Sequence, residues 1–238
     1  MKARSGTAIV LGALLCLSML PAFAQDTPKP KPPEPTVPEI FTLMGQYVRV
    51  AYNNEGFATL GYRVANDSVG KHWMLLEVGL SLREGQDSQL MTRDAISLQT
   101  PDNKIIRLAT QQEANDGELM GLQNYAKNFR DRISYFPNSV SRRGNLGFFQ
   151  DVDRKTMSHD QVELNNMTGT LGRIFFHVPD GIKTGQHWLI IRFAKSEVHV
   201  PFRILTKEEA KEFSKTWEDI KEEHDDATKA KQQKAKPK

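Results

Sequence analysis

Hydrophobic and polar positions alternate most strictly over Val198–Ile204, where Val198, Val200, Phe202 and Ile204 interleave with His199, Pro201 and Arg203. A period of two sends successive side chains to opposite faces, so this run predicts a half-buried antiparallel strand. Pro201 has no N–H to give to a ladder, which places the strand at a sheet edge or a bulge. Just upstream, His187–Phe193 sets Trp188, Ile190 and Arg192 against Leu189, Ile191 and Phe193. Arg173–Val178 is a short β-branched and aromatic run stopped by Pro179-Asp180-Gly181. The stretch Leu171–Leu205 thus reads as three strands in succession.

The first half of the chain repeats the theme. Phe41–Tyr52 and Phe57–Val64 are strand-like and separated by the turn Asn53-Asn54-Glu55-Gly56. Trp73–Leu82 is the most apolar run, which predicts a central strand covered on both faces. Ala95–Gln99 and Ile105–Leu108 flank Thr100-Pro101-Asp102-Asn103, a good hairpin turn. Short strands divided by turn signals predict a mainly β chain, an immunoglobulin-like antiparallel β-sandwich rather than an α/β enzyme core.

Two helices interrupt the pattern. Asn115 as a cap, Glu118, and the apolar spacing Leu122, Ala126, Phe129, Ile133 predict an inserted helix near 116–133 whose apolar face packs on the sandwich rim. Thr206 with Glu209 reads as a capping box, and Ala210, Phe213, Trp217 and Ile220 form the stripe of an amphipathic helix over 206–226. The region 138–160 is the least regular, and loops of that length in a domain are usually functional or disordered.

The strand end "FFHVP", the strand "GQHWLIIRF" and the closing strand "VHVPFRIL", taken with Trp73–Leu82, resemble the exported immunoglobulin-like (telokin-like) β-sandwich domains of bacteria. The resemblance extends loosely over residues 40–205. It implies the sandwich fold and carries no catalytic residue with it.

Composition refines this picture at the ends. Lys2 and Arg4, the apolar Ala8–Leu20 and the small-x-small site Ala22-Phe23-Ala24 make residues 1–24 a predicted secretory signal cleaved before Gln25. No transmembrane segment is expected once it is removed, and the expected location is periplasmic or secreted. The only cysteine, Cys16, lies in that signal, so disulfides, thiolate metal sites and a cysteine nucleophile are excluded from the mature chain. Residues 25–38 are a proline-rich tether, extended at about 3 Å per residue. The sandwich domain is expected over 39–205, and 227–238 is a lysine-rich tail with no core-forming residue. The net charge of +3 drops to +1 with the loss of Lys2 and Arg4, which gives no argument for nucleic acid.

Candidate chemistry is sparse. The six histidines form no H-x-H or H-E-x-x-H pair, although His177, His187 and His199 fall on neighbouring strands; no metal or other cofactor is expected. Asp151-Val152-Asp153 opens like a calcium loop and then places Lys155 where an oxygen is needed. Ser158-His159-Asp160 are adjacent and cannot converge as a triad, so no catalytic residue is named. The candidate binding residues are Arg130, Arg132, Arg142 and Arg143, with Phe148 and Phe149 interleaved, and Trp217 on the C-terminal helix. Arginines beside exposed aromatics suit an anionic glycan or lipid surface. The expected function is a non-enzymatic binding or assembly module of the bacterial envelope that presents the 138–160 loop, and possible partners include an envelope protein. The alternative is a periplasmic or secreted hydrolase or carbohydrate-active protein with its site at that loop.

Overall fold

In the computed structural model, which describes residues 40–117, 119–129, 133, 135–150 and 156–218, every residue from Met74 to Leu82 is buried. A strand buried on both faces must sit inside a sheet that is itself covered on both sides. β4 (Trp73–Leu82) meets both conditions. The large sheet runs β1 (Ile40–Gly45), β2 (Val48–Tyr52), β3 (Gly56–Gly61), β4, β10 (Thr168–His177), β8 (Arg142–Asn145). Neighbours are antiparallel except β8, which joins β10 in parallel. The second sheet runs β12 (Glu197–Ile204), β11 (Gly185–Arg192), β6 (Ile96–Gln99), β7 (Ile105–Arg107). A third pair is β5 (Gln89–Thr92) with β9 (Gln161–Leu164). All described residues belong to the unit Pro32–Lys238; Met1–Lys31 lie outside them.

The two main sheets share one core. Leu76, Val78 and Leu80 of β4 and Ala58 and Leu60 of β3 point inward, toward Leu189 and Ile191 of β11 and Val198, Val200 and Phe202 of β12. β12 lies against β2 and β3. The chain is therefore mainly β with antiparallel sheets, as its alternation predicts. β12 is an edge strand, as Pro201 requires.

The opposite face of the large sheet is covered by the chain itself. Phe57, Thr59 and Gly61 of β3 and Glu77, Gly79 and Ser81 of β4 form that outer face. Ile133 and Tyr135–Pro137 lie across it as a strap. The Thr59 hydroxyl donates to the Tyr135 carbonyl at 2.7 Å. Phe136 seats on Gly79 and Gly169, where a Cβ would stand 2.6 and 2.7 Å from its ring. Phe136 also stacks on Phe57 with ring centroids 6.2 Å apart.

The helices differ from the sequence expectation. In place of one helix near 116–133 there are two, α2 (Gln111–Asp116) and α3 (Met120–Phe129), after the single turn α1 (Arg63–Asn66). Asn115 does not cap; Thr110 does, in a reciprocal capping box with Glu113. The turn at Gly117 ends α2, and Ile133 belongs to the strap instead of the helix because it packs beside Gly61 and Gly79. The two-residue turn Gln46-Tyr47 splits Phe41–Tyr52 into a hairpin. The region 138–160 is not one open loop: β8 lies within it. After Leu205, residues 207–218 are helical, opened by mutual bonds between Thr206 and Glu209. Phe213 packs edge-on to Tyr47, 5.8 Å between centroids. The expected continuation of that helix to 226, and the lysine tail, lie outside the described residues, as do the signal and tether.

The three histidines on strands do not converge. His187 is buried in the second sheet, stacked on Phe202 at 5.3 Å, with Nδ1 3.0 Å from the Gly185 carbonyl. His199 pairs across from Ile190, in the opposite parity, and meets Glu197 at 3.2 Å. His177 ends β10 in the other sheet.

Two outcomes are expected. Gly79→Ala forces Phe136 off the sheet, so urea unfolding should show a loss of about 1–3 kcal/mol, the usual cost of overpacking. Burial lowers the His187 pKa below the ordinary imidazole value. The unfolded chain then binds that proton more readily, so the contribution of neutral His187 is full above about pH 6.5 and is lost as pH falls below it. Unfolding midpoints measured at pH 7 and pH 5 should differ in the native chain and differ less in His187→Phe.

Candidate functional site

Glu77 is the one charged residue in the apolar run Trp73–Leu82, and a charge on a strand buried on both faces demands a partner. Arg173 supplies it. The two are direct cross-strand neighbours on β4 and β10, with Arg173 Nε 3.5 Å from Glu77 Oε1 and side chains only 19% and 11% exposed. The pair does not close over completely. It borders a cleft of about 70 Å³ between α3 and the 145–150 turn, with Gln123 on one wall and Asn145 and Gln150 on the other. Phe149 and Phe175, edge-on at 4.9 Å, line its apolar side.

Arg93 holds the far wall in place. It sits in the 3-10 turn Arg93–Ala95 between β5 and β6. Its guanidinium donates to the carbonyls of Ala109 at 3.0 Å, Phe148, and His159 at 3.3 Å, and pairs with Asp160 at 3.1 Å. It also lies over the rings of Phe148 and Phe149, 5.5 and 4.9 Å from their centroids. One rigid fork thereby ties together segments from 109 to 160.

On the other side of α3 lies a shallow groove of about 600 Å³, lined by Lys71, His72, Trp73, Gly121, Leu122 and Tyr125. Gly117 lets the α2–α3 turn pass over Trp73, since a Cβ there would lie 2.5 Å from the indole. The Trp73 and His177 rings are 5.0 Å apart. The Tyr125 hydroxyl donates to Asp67 at 2.8 Å, which fixes α3 against the end of α1, and its ring stacks on Phe129 at 4.5 Å. Phe129 and Met120 are 51% and 68% exposed. A side of α3 whose aromatics are exposed among the described residues is unlike a helix packed only for stability.

The predicted binding residues scatter. Phe148 and Phe149 are 1% and 6% exposed and belong to the core, with the Arg93 guanidinium over their rings. Arg142 and Arg143 are exposed on β8, and Arg143 covers the Phe136 ring at 4.2 Å. Trp217 is half-buried on the C-terminal helix and lines neither the cleft nor the groove. Arg130 and Arg132 lie outside the described residues, as does the calcium-like Asp151-Val152-Asp153. Sequence reasoning missed Glu77, Arg173, Arg93 and the α3 groove. Only Glu77, a lone carboxylate in an apolar strand, carried a local signal.

Among the described residues no three His, Cys, Asp or Glu side chains are grouped to hold a metal ion, and no helix is long and apolar enough to cross a membrane. No family model matches the chain, and no curated protein or solved structure matches it.

Arg93→Ala should cost about 2–4 kcal/mol, because buried carbonyls lose their donor at roughly 1–3 kcal/mol each. The exposed Asp160 contributes little to that figure. Urea unfolding gives the energy, and faster proteolysis within 145–160 shows where the chain opens. Arg93→Lys should recover only part, since an ammonium cannot reach three carbonyls in one plane.

Proposed function

We propose that the chain is an exported, non-enzymatic binding module of the bacterial envelope: an immunoglobulin-like sandwich that holds an anionic glycan in the groove beside α3. The observation that carries this is a groove with Trp73 and Tyr125 in its walls, the Tyr125 ring continued by the exposed Phe129 stacked on it. Sugar rings present apolar C–H faces that pack on aromatic planes, while their hydroxyls and acids need polar neighbours. Lys71 and His72 stand at the rim to meet them. The tethered, exported form follows from residues 1–24 and 25–38, whose composition suits a domain held at a distance from its anchor point.

Retention of the purified mature chain on cell-wall glycan, on an anionic polysaccharide and on a neutral one tests this. The acidic glycan should bind best, with affinity falling as salt rises. Tyr125→Ala and Phe129→Ala should each weaken binding about tenfold. Phe129 is solvent-facing, so its variant should hardly move the unfolding midpoint, whereas Tyr125→Ala also loses the bond to Asp67 and should lower it modestly. Unchanged retention in the double variant would place binding elsewhere. Turnover of the glycan, abolished by substituting an acid or a histidine, would make the protein an enzyme.

A further inference from the structure

The cleft on the other side of α3 has a chemistry of its own, set by Arg173 of β10. That side chain is only 19% exposed, and among the described residues it meets one partner, Glu77, through Nε at 3.5 Å. A guanidinium carries five N–H donors in one plane, four of them on its two Nη atoms. Those four have no acceptor among the described residues, and the side chain borders the cleft. Groups covered this far are normally paired within the fold, so the open edge of Arg173 calls for an acceptor from outside. Glu77 has a further interaction of its own besides Arg173, so its carboxylate is engaged and is no seat for a ligand. The charged group on offer is the Nη edge of Arg173.

Arg173 can only donate, so the ligand must accept, and a planar fork fits a carboxylate through two parallel bonds. The rest of the cleft narrows the choice. Gln123 on α3, Asn145 at the end of β8 and Gln150 line it with amides that can donate to the same oxygens. Phe149 and Phe175 make the remaining wall apolar. At roughly 10–15 Å³ of free space per water, about 70 Å³ holds roughly five waters, or a ligand of about six non-hydrogen atoms. Phosphate and sulfate have nearly that size, but their oxygens point to every side, the two rings included. A second negative charge beside the Glu77 carboxylate also costs more than one. A monocarboxylate with a short alkyl body sets its oxygens on the guanidinium and its carbons on the rings.

We propose that this cleft binds a free short-chain monocarboxylate, of acetate to butyrate size, through the Nη edge of Arg173. The amides of Gln123 and Asn145 hold its oxygens from the walls, and Phe149 and Phe175 take its alkyl end. No bond is made or broken. The site is separate from the glycan groove, and either can stand without the other.

Calorimetric titration of the full mature chain with acetate, propionate and butyrate tests this, with acetamide, methylamine and inorganic phosphate as controls. At least one carboxylate should bind at millimolar concentration, with every control weaker by roughly tenfold or more. Arg173→Gln should abolish binding. Arg173→Lys keeps the charge and loses the fork, so it should bind roughly tenfold less well. Asn145→Ala and Gln123→Ala should each weaken binding severalfold. Those two positions are on the walls, so they keep the test open if the Arg173 variants do not fold. Binding should shift the backbone amide resonances of Gly147 and Gly172, which line the cleft, and leave that of Gly85, between β4 and β5, in place. No heat and no shift with any of the three carboxylates would overturn the proposal. So would acetamide or phosphate binding as well as the best carboxylate, or full binding in the Asn145 and Gln123 variants.

Discussion

A sheet that is apolar on both faces needs two covers, and the second sheet supplies only one. The other face of β3, β4 and β10 would expose Phe57, Leu75, Gly79 and Phe175 to water if nothing crossed it. The strap of Ile133 and Tyr135–Pro137 and helix α3 answer that need, with Ala126 of α3 and Phe136 of the strap turned inward. At about 25 cal/mol per Å² of apolar surface covered, a layer of a few hundred Å² is worth several kcal/mol. That is comparable with the whole net stability of a domain. The elements that look like insertions between β7 and β8 are thus half of the core's enclosure. Glycines at 79 and 169 are the condition for it, because the strap's aromatic ring rests where side chains would otherwise stand.

The same layer determines where chemistry is available. A covering helix has a face toward the sheet and flanks toward whatever lies beside it. α3 turns Ala126 to the sheet, Gln123 toward the cleft and Tyr125 toward the groove. Its position is held by the bond from Tyr125 to Asp67 on one side. Across the cleft, Arg93 holds the opposing wall by carbonyls from 109, 148 and 159. Both clamps keep the walls apart at a fixed distance, which is what a site formed before binding requires.

Sequence legibility followed the range of the forces involved. Val198–Ile204 and Trp73–Leu82 were readable as an edge and a central strand because period and apolarity are local properties of six or more residues. β8 was not readable: Arg142-Arg143-Gly144-Asn145 has no alternation and is a strand only because β10 offers its backbone. The helix near 116–133 was overextended because Ile133 continues the apolar spacing of Leu122, Ala126 and Phe129. The spacing cannot tell that Ile133 is better buried over Gly61 and Gly79, nor that Phe129 turns outward onto Tyr125. Phe148 and Phe149 looked like ligand contacts among arginines, yet the arginine that meets them is Arg93, more than fifty residues earlier. The candidate surfaces were illegible for the same reason: Glu77 with Arg173, and Trp73 with Tyr125, are neighbours only through the fold.

The edge strand β12 bears on why the proposed binding surfaces lie on faces and not on edges. β12 bonds to β11 through its even residues, as the continuing pair Phe193 N–H to Ser196 carbonyl shows, and so presents odd residues outward. Those outward groups are already occupied at both ends. Asn53 donates to the Glu197 carbonyl at 3.2 Å, and Asn66 both donates to the Arg203 carbonyl at 3.3 Å and accepts from Leu205 N–H at 2.8 Å. In the middle stands Pro201, which has no N–H to offer. A strand added from a partner would find a ladder interrupted at three points, which is how natural sheets prevent edge pairing. Edge augmentation at β12, one of the ways a β-sheet can hold a partner, is therefore disfavoured here. Recognition is left to side chains, and the side chains that converge with donors, acceptors and aromatic planes to spare are those on either flank of α3.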